Sequence, residues 1–286
     1  MTRRPDQRPA GFLSRFLKDR ATRPGEVYGV PGQGSTTLLS LASMAAILFL
    51  WWLVTWMGWV KPLFLPSPQA VWFKFLDIWA NGFTNTPFLE HLGISTARVF
   101  GAFLLACLIG VPLGLAMGMS PVIRGIFDPP IEFYRPIPPL AYLPLMIIWF
   151  GIHETSKVAL IFLACFAPIA LGARAGVKSA AIEQIHAAYS FGATRWQVMR
   201  QVIFPSALPE IMTAMRIGIG FGWTTLVAAE MVAATRGIGY MVLSASQFLQ
   251  TSTVIAGIIV IAAIAYAFDL LMRWLERRLV PWKGKI

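Results

Sequence analysis

Residues 186–205 read HAAYSFGATRWQVMRQVIFP and lie between two long apolar stretches of the chain. Apolar residues recur at helical spacing on both sides of Gly192, which predicts two short amphipathic helices. The recurring residues are Ile182, Ile185 and Tyr189 before the glycine, and Trp196, Met199 and Val202 after it. Because glycine tolerates the left-handed backbone that often ends a helix, Gly192 predicts the turn between the two helices.

The second short helix carries a signal at each end. Thr194 followed by Gln197 is the pattern of a capping box, which begins a helix. Pro205 lacks a backbone N–H, so we expect it to end that helix. Ala187 and Ala188 are small enough to let the backbone of a partner approach closely. Residues 181–209 therefore predict a helical hairpin that a separate protein can grip, since a loop this long between two spans usually has a purpose. An ordinary amphipathic linker is the alternative.

The composition is that of a membrane protein. Of the 286 residues, 57% are hydrophobic and 13% are charged, and the mean hydropathy is +0.65. A soluble domain of this size needs more polar surface to cover its core. The basic residues lie in the gaps between apolar blocks, without the clustered face that nucleic-acid binding requires. Cys107 and Cys165 each lie inside an apolar block and are predicted to be small core residues.

The apolar blocks predict an all-α membrane protein with six transmembrane helices, because a spanning helix needs about 20 mostly apolar residues. The predicted spans are 36–58, 98–119, 132–151, 157–175, 209–233 and 253–274. The chain then divides into a basic cytoplasmic tail (1–34), a first transmembrane helix (35–60), a periplasmic segment (61–93), a membrane core (94–275) and a second basic cytoplasmic tail (276–286).

The distribution of basic residues predicts the orientation. They are concentrated in the N-terminal tail, around Arg124, in the loop 174–208 and in the C-terminal tail, which all fall on one side of the predicted spans. The other side holds only Lys61, Lys74, Lys157 and Arg236, with Arg98 at a boundary. Since cytoplasmic segments carry the excess of Lys and Arg, both termini are predicted to be cytoplasmic.

A proline cluster marks one candidate translocation path. Four prolines fall within residues 136–144, which a regular helix cannot hold. Inside a membrane, such a break survives only where protein or a water-filled path covers the freed backbone groups. We therefore take Arg135, Pro138 and Pro139 as path candidates. Arg135 has two readings, since it can attract an anion in the path or pair with Glu132 three residues earlier.

Two further features leave alternatives open. Glu230 lies in a strongly apolar stretch, where an acidic residue is costly, and it either serves the path or makes a structural pair, with Arg236 nearby. Gly110, Gly114 and Gly118 repeat every four residues and predict close helix packing. That packing joins either two copies of the chain or two helices of one copy.

The sequence offers no catalytic or metal constellation. Its histidines, His91, His153 and His186, are scattered over different segments. No Ser-His-Asp arrangement stands out, and no Walker-type Gly-x-x-x-x-Gly-Lys is present, so ATP cannot be bound in that way. A stand-alone secondary transporter or channel, with Glu230 in ion coupling, is one rival reading. An intramembrane enzyme is another, and it would need a nucleophile, a base or metal ligands at bilayer depth.

At the hairpin, the chain resembles permeases of ABC importers. Their cytoplasmic motif has the form Glu-Ala-Ala, three residues, Gly, nine residues, Ile-x-Leu-Pro. The spacing here is the same, and the corresponding residues are His186, Ala187, Ala188, Gly192, Val202 and Pro205. His186 replaces the usual Glu, and Phe204 replaces the usual Leu. The first change puts in doubt any salt bridge that the family's Glu makes. In the family, this loop docks on the ATP-binding subunit.

From about Leu63 onward, the chain is similar to the nitrate, sulfonate and taurine group of these permeases, and most to its taurine branch. The resemblance rests on residues 64–68, 135–151, 228–239 and 281–282. It implies the type-1 ABC importer permease fold, with 94–275 as the permease core and a coupling-helix loop. It also implies a homodimer, two ATP-binding subunits that bind the ATP, and a periplasmic substrate-binding protein. The implied cargo is taurine or a related sulfonate, with alkanesulfonate or nitrate as alternatives.

Overall fold

The computed structural model describes residues 37–282 and two short strands before them. In these strands, Lys18–Asp19 (β1) pairs antiparallel with Gly34–Ser35 (β2). The rest of the described chain is built from helices. They are α1 (Thr37–Trp56), α2 (Pro68–Asn81), α3 (Phe88–Met119), α4 (Pro121–Tyr134), α5 (Pro139–Phe150), α6 (Glu154–Gly176), α7 (Ile182–Ser190), α8 (Arg195–Val198), α9 (Phe204–Ala233), α10 (Ile238–Gln247) and α11 (Thr251–Leu279). The predicted all-α class is confirmed.

The chain divides into two compact units, residues 1–70 and residues 71–286. In the described part of the first unit, α1 carries an apolar surface, with Trp56 and Leu41 among its exposed side chains. The indole Nε1 of Trp51 donates to the carbonyl oxygen of Pro66 at 3.0 Å, which ties the segment after α1 back to that helix.

Five helical stretches of the described chain are long and apolar enough to cross a membrane. They are Leu38–Trp56, Phe88–Met119, Glu154–Ser179, Arg195–Ala233 and Thr251–Leu279. The predicted span 132–151 differs from the others, because the structure divides it. α4 ends at Tyr134, and α5 has only 12 residues. At 1.5 Å per residue, α5 is about 18 Å long, well short of the hydrocarbon core.

Prolines cause this division. Pro136 and Pro138 have no N–H to donate, and each disfavours a helical conformation in the residue before it. Pro139 lies in the first turn of α5, where the missing donor costs nothing. The structure therefore confirms a helix break at the proline cluster, and it shortens the third predicted span accordingly.

The core of the second unit is formed where α3, α6 and α9 pack together, and small residues allow the close approach. A methyl group added at Gly110 would lie 3.2 Å from a side-chain carbon of Ile169 on α6, and one added at Gly114 would collide with the backbone of Ala170. Gly118 packs against Val177, directly after the same helix. Of the two readings of these glycines, the structure supports packing within one chain.

The two cysteines belong to this core. Cys165 is fully buried, Cys107 is partly buried against the same cluster, and both are free thiols. Cys165 contacts the α9 backbone closely, since a methyl group added at Gly222 would lie 2.8 Å from its Sγ atom. The prediction that both are small core residues is confirmed.

Candidate functional site

The helical hairpin has the local structure that its sequence predicts up to residue 198. α7 ends at Ser190, and Gly192 adopts a φ of +81°. The amide of Ala193 donates to the carbonyl of Ala188 at 3.1 Å, which closes the turn. In the capping box, the backbone N–H of Thr194 donates to the side-chain oxygen of Gln197 at 2.7 Å, and the amide of Gln197 donates to the Thr194 hydroxyl.

The expectation that Pro205 ends the second helix is wrong. α8 continues through a π-helical segment, Met199–Ile203, directly into α9. The amide of Phe204 donates to the carbonyl of Met199, a wider turn than in an α-helix. Pro205 then lies in the first turn of α9, where no donor is required. The hairpin is thus rigidly continuous with a membrane helix, Arg195–Ala233.

The residues predicted for coupling lie together on this hairpin. His186, Ala187 and Gly192 are exposed, whereas Ala188, Val202 and Pro205 are half-buried. The His186 side chain has no hydrogen-bond or ion-pair partner within the part of the chain that the structure describes. A side chain at Gly192 would meet open space, so its role is set by its backbone conformation.

The most exposed aromatic residue of the hairpin is not among the residues that the sequence predicted for coupling. Phe191 is 92% exposed, and Trp196 is 65% exposed. A large aromatic residue directly before a turn glycine, in a polar loop, was the signal available in the sequence. Exposed aromatic side chains of this kind often anchor protein interfaces.

A cavity of about 710 Å³ adjoins the proline break. Arg135, Pro138 and Pro139 all line it, so the structure brings three of the four path candidates together. Its other walls come from α6 and α9, including Pro168, Leu171, Ile217 and Phe221. Most of this surface is apolar, and a cavity of this kind with a few convergent polar groups is suited to a small ligand.

The polar groups of this cavity have opposite charges. Arg135 Nη1 lies 3.5 Å from Glu132 Oε2, so the pairing predicted for Arg135 is present. Both side chains remain substantially exposed, and both line the cavity. An exposed pair at this distance contributes little to stability and can exchange partners. The pairing therefore leaves Arg135 free to meet an anion, and the two readings are compatible.

Glu230 is elsewhere, in a buried polar cluster between α3, α9 and α10. Its carboxylate is fully buried and accepts hydrogen bonds from Arg98 Nη1 at 2.7 Å, from the Ser95 hydroxyl at 2.7 Å and from the Gly239 amide at 2.8 Å. Gly237 packs so closely that an added methyl group would collide with the carboxylate. This geometry supports the structural reading of Glu230 over a place in the cavity.

Arg98 is the centre of this cluster, which the sequence placed only at a boundary. Besides Glu230, its guanidinium donates to the carboxylate of Glu154 at 2.5 and 2.6 Å and to the carbonyl of Arg236 at 2.9 Å. The Arg236 side chain, expected near Glu230, instead pairs with Glu90 at 2.5 Å. A buried charge is tolerated when it is paired and hydrogen-bonded, and here each guanidinium nitrogen of Arg98 and each carboxylate oxygen of Glu230 has a partner.

His91 completes the cluster as a structural residue. Its ring is fully buried, and Nδ1 accepts from the Gly237 amide at 3.0 Å. Nε2 therefore carries the proton and donates to the carbonyl of Phe83 at 3.3 Å. Among the described residues, no group of three or more His, Cys, Asp or Glu side chains could hold a metal ion.

Comparison with known proteins places these features in a family. Residues 110–281, which include the hairpin and Glu230, match the sequence model of the binding-protein-dependent transport system inner membrane component. The taurine transport system permease protein TauC of Escherichia coli is 55% identical over 87% of this chain and 90% of its own length. The aliphatic sulfonates transport permease protein SsuC of Bacillus subtilis, a putative assignment, is 34% identical over 84% of this chain and 86% of its own.

A solved structure shares the fold. The methionine transporter MetNI, in an inward-facing conformation, contains a chain that matches with a TM-score of 0.58 at 16% identity. The match covers 67% of this chain and 95% of the MetNI chain. The resemblance read from the hairpin is confirmed, and the fold is that of type-1 importers. The chain is a multi-pass inner-membrane protein and belongs, as an ABC importer permease, to the family of binding-protein-dependent transport system inner membrane components.

Proposed function

We propose that this chain is the permease subunit of an ATP-driven importer that carries taurine or a related sulfonate across the inner membrane. The observation that supports taurine as the substrate is the 55% identity to the E. coli taurine permease, which extends over 90% of that protein. The 34% identity to the B. subtilis aliphatic sulfonate permease supports alkanesulfonates as the second candidate.

The cavity beside the proline break fits such a cargo. Taurine carries a sulfonate and an ammonium group two carbons apart. Arg135 and Glu132 supply one positive and one negative charge to the cavity, 3.5 Å apart. We infer that Arg135 attracts the sulfonate, and that Pro138 and Pro139 hold the break open. Glu132 would receive the ammonium group, which an alkanesulfonate lacks.

The helical hairpin is proposed to dock on a separate ATP-binding subunit, which binds the ATP. The coupling residues are His186, Ala187, Ala188, Gly192, Val202 and Pro205. The exposure of Phe191 and Trp196 supports this docking, because aromatic side chains dominate many interface energies. The continuous helix Arg195–Ala233 supports transmission, since a rigid element carries a push at one end to the membrane. With histidine at position 186, no acidic side chain is available there for a salt bridge.

The assembly is proposed to contain two copies of this chain, two ATP-binding subunits and a periplasmic substrate-binding protein, with both termini in the cytoplasm. The shortness of α5 supports a second copy, because a helix of about 18 Å leaves backbone groups at bilayer depth that protein or a water-filled path must cover, and an interface between two copies would supply either. ATP and cargo then shift the spans between inward-open and outward-open arrangements by binding the two states with different affinities.

Uptake into proteoliposomes tests the substrate. The chain would be reconstituted with the proposed ATP-binding subunit and substrate-binding protein, and labelled taurine would be supplied with ATP. We expect ATP-dependent accumulation that excess unlabelled taurine abolishes and that nitrate leaves unchanged. Accumulation of an alkanesulfonate without taurine uptake would favour the second candidate. Nitrate uptake alone would exclude both.

A further inference from the structure

A second cavity, of about 340 Å³, lies where α3, α4 and α6 meet. Three cationic side chains line it, Arg124, Arg174 and Lys178, together with one carboxylate, Asp128. Arg174 is already engaged, since its guanidinium donates to Asp128 and its Nη2 atom lies 3.6 Å from Glu132 Oε1. The cavity is therefore built around one fixed ion pair and two further cations.

Within the described part of the chain, the two further cations have no partner. Arg124 and Lys178 are both exposed, and neither side chain has a hydrogen-bond or ion-pair partner among the residues that the structure describes. Three positive charges and one negative charge give the lining a net charge of +2. Two unneutralised cations that converge on one concave site favour an anion, and a phosphate group matches that chemistry.

The position of the cavity indicates where the phosphate comes from. The candidate spans Phe88–Met119 and Glu154–Ser179 both end beside it, so the cavity lies where the chain leaves the hydrocarbon layer. The neighbouring surface of α4 is apolar, with Val122 69% exposed and Ile126 60% exposed. An anion with acyl chains would contact both surfaces, whereas a soluble phosphate would leave the apolar one uncovered.

We propose that this cavity binds the headgroup phosphate of an anionic phospholipid. Arg124 and Lys178 provide the net attraction, and Asp128 holds the Arg174 guanidinium in place beside them. The acyl chains lie along the exposed face of α4. Basic pockets between transmembrane helices are established binding sites for acidic lipid headgroups in general. The proposal depends on the chain spanning a membrane and is independent of its cargo.

Lipid titration of the full chain, purified in detergent with whatever subunits co-purify, tests this proposal. The probe is phosphatidylglycerol, with phosphatidylcholine of the same chain length beside it, and the readouts are lipid adducts in native mass spectrometry and the thermal midpoint. We expect wild type to bind phosphatidylglycerol in preference. The double variant R124Q/K178Q should bind it about thirtyfold more weakly, which corresponds to about 1 kcal/mol for each basic residue.

Two further variants make the result specific. R277Q/R278Q removes the same charge from exposed positions at the end of α11 and should keep the wild-type affinity. R124K/K178R preserves both charges and should also bind. Equal weakening in both glutamine variants, equal binding of phosphatidylcholine, or complete displacement by inorganic phosphate at matched concentration would each overturn the proposal. Loss of subunit co-purification in R124Q/K178Q, with lipid affinity unchanged, would assign the cavity to a protein partner instead.

Discussion

Arg98 shows how a single residue can link distant parts of this chain. It lies on α3 and is 5% exposed, yet it holds Glu230 of α9, Glu154 at the start of α6 and the backbone of Arg236. The effect of such a cluster on the free energy of unfolding depends on how it is changed. Replacing the whole cluster by apolar residues changes stability little, whereas removing one partner leaves a buried charge without its counter-charge.

Replacing Glu230 by alanine is therefore expected to destabilise the protein by about 3–5 kcal/mol, because it leaves Arg98 buried with only Glu154 to neutralise it. Thermal unfolding of the purified protein in detergent measures this loss. The matched control is Glu90→Ala, which breaks an exposed pair with Arg236 and should cost less than about 1 kcal/mol. An E230A protein of normal thermal stability that has lost uptake would restore the path role for Glu230.

Replacing Arg135 is expected to impair uptake without lowering stability, the opposite of the effect expected at Glu230. It is 57% exposed beside the cavity, so R135Q should leave thermal stability unchanged within about 0.5 kcal/mol. Uptake of taurine should weaken, with an apparent KM about tenfold higher, because one charge-assisted hydrogen bond is worth about 1.5 kcal/mol. R135K should recover part of the loss. The measurement is the concentration dependence of uptake in proteoliposomes, and an unchanged KM in R135Q would remove Arg135 from the path.

At the scale of elements, the hairpin depends on one backbone conformation. Gly192 has a φ of +81°, which glycine adopts freely and asparagine tolerates, but which a β-branched residue resists. Space is not the constraint, since nothing lies within 4 Å of an added methyl group there. A change at this position thus acts through the angle between α7 and α8.

Replacing Gly192 by valine should therefore abolish most of the stimulation of ATP hydrolysis by the loaded binding protein. G192N is the matched control and should retain it, because asparagine is accepted in the left-handed region. Hydrolysis would be measured in the reconstituted assembly, with subunit co-purification as a check on docking. If G192V were stimulated as strongly as wild type, the turn would have no part in coupling.

Two glycines on α3 separate helix packing from helix propensity. An alanine at Gly114 collides with the backbone of Ala170 on α6, so G114A should cost about 1–3 kcal/mol as the two helices are forced apart. Gly101 lies on the same helix with nothing within 4 Å of an added methyl group. G101A should be neutral or stabilising by about 0.5–1 kcal/mol. Paired thermal melts measure the difference, and equal midpoints would contradict the packing described for α3 and α6.

Over the whole molecule, the sequence predicted what depends on local pattern. Five of the six apolar spans and the hairpin turn at Gly192 were found in this way, because hydropathy and capping are properties of neighbouring residues. The sequence did not predict that α3 begins at residue 88, ten residues before the predicted start at 98. His91 and Arg98 look unsuitable for a buried helix until their partners, more than 130 positions away, are known.

The contrast between local pattern and three-dimensional contact also explains the other differences between the predicted and the observed structure. Pro205 has no backbone N–H to donate in any context. Only the structure shows that the π-helical turn before it places Pro205 where the helix needs no N–H donor, so the helix continues. The prolines predicted a break within 132–151, but a hydropathy window averages across that break, so it could not show that α5 is a separate helix of 12 residues. The path at Arg135 was inferred from its prolines, whereas the cavity formed by Arg124 and Lys178 is visible only from their exposure and convergence in three dimensions.

The energy for uptake is expected to come from a separate ATP-binding subunit. The purified chain alone, reconstituted in liposomes, should show no concentrative uptake of taurine, with or without a proton gradient. Its candidate coupling surface is an exposed hairpin, which we expect to act only when an ATP-binding subunit is docked on it. Adding the ATP-binding subunit, the binding protein and ATP should produce accumulation. An ATP-binding subunit that assembles but cannot hydrolyse ATP is the control, and it should give none. Accumulation by the chain alone would revive the secondary-transporter reading, since an ion gradient would then suffice to shift the spans between their two arrangements.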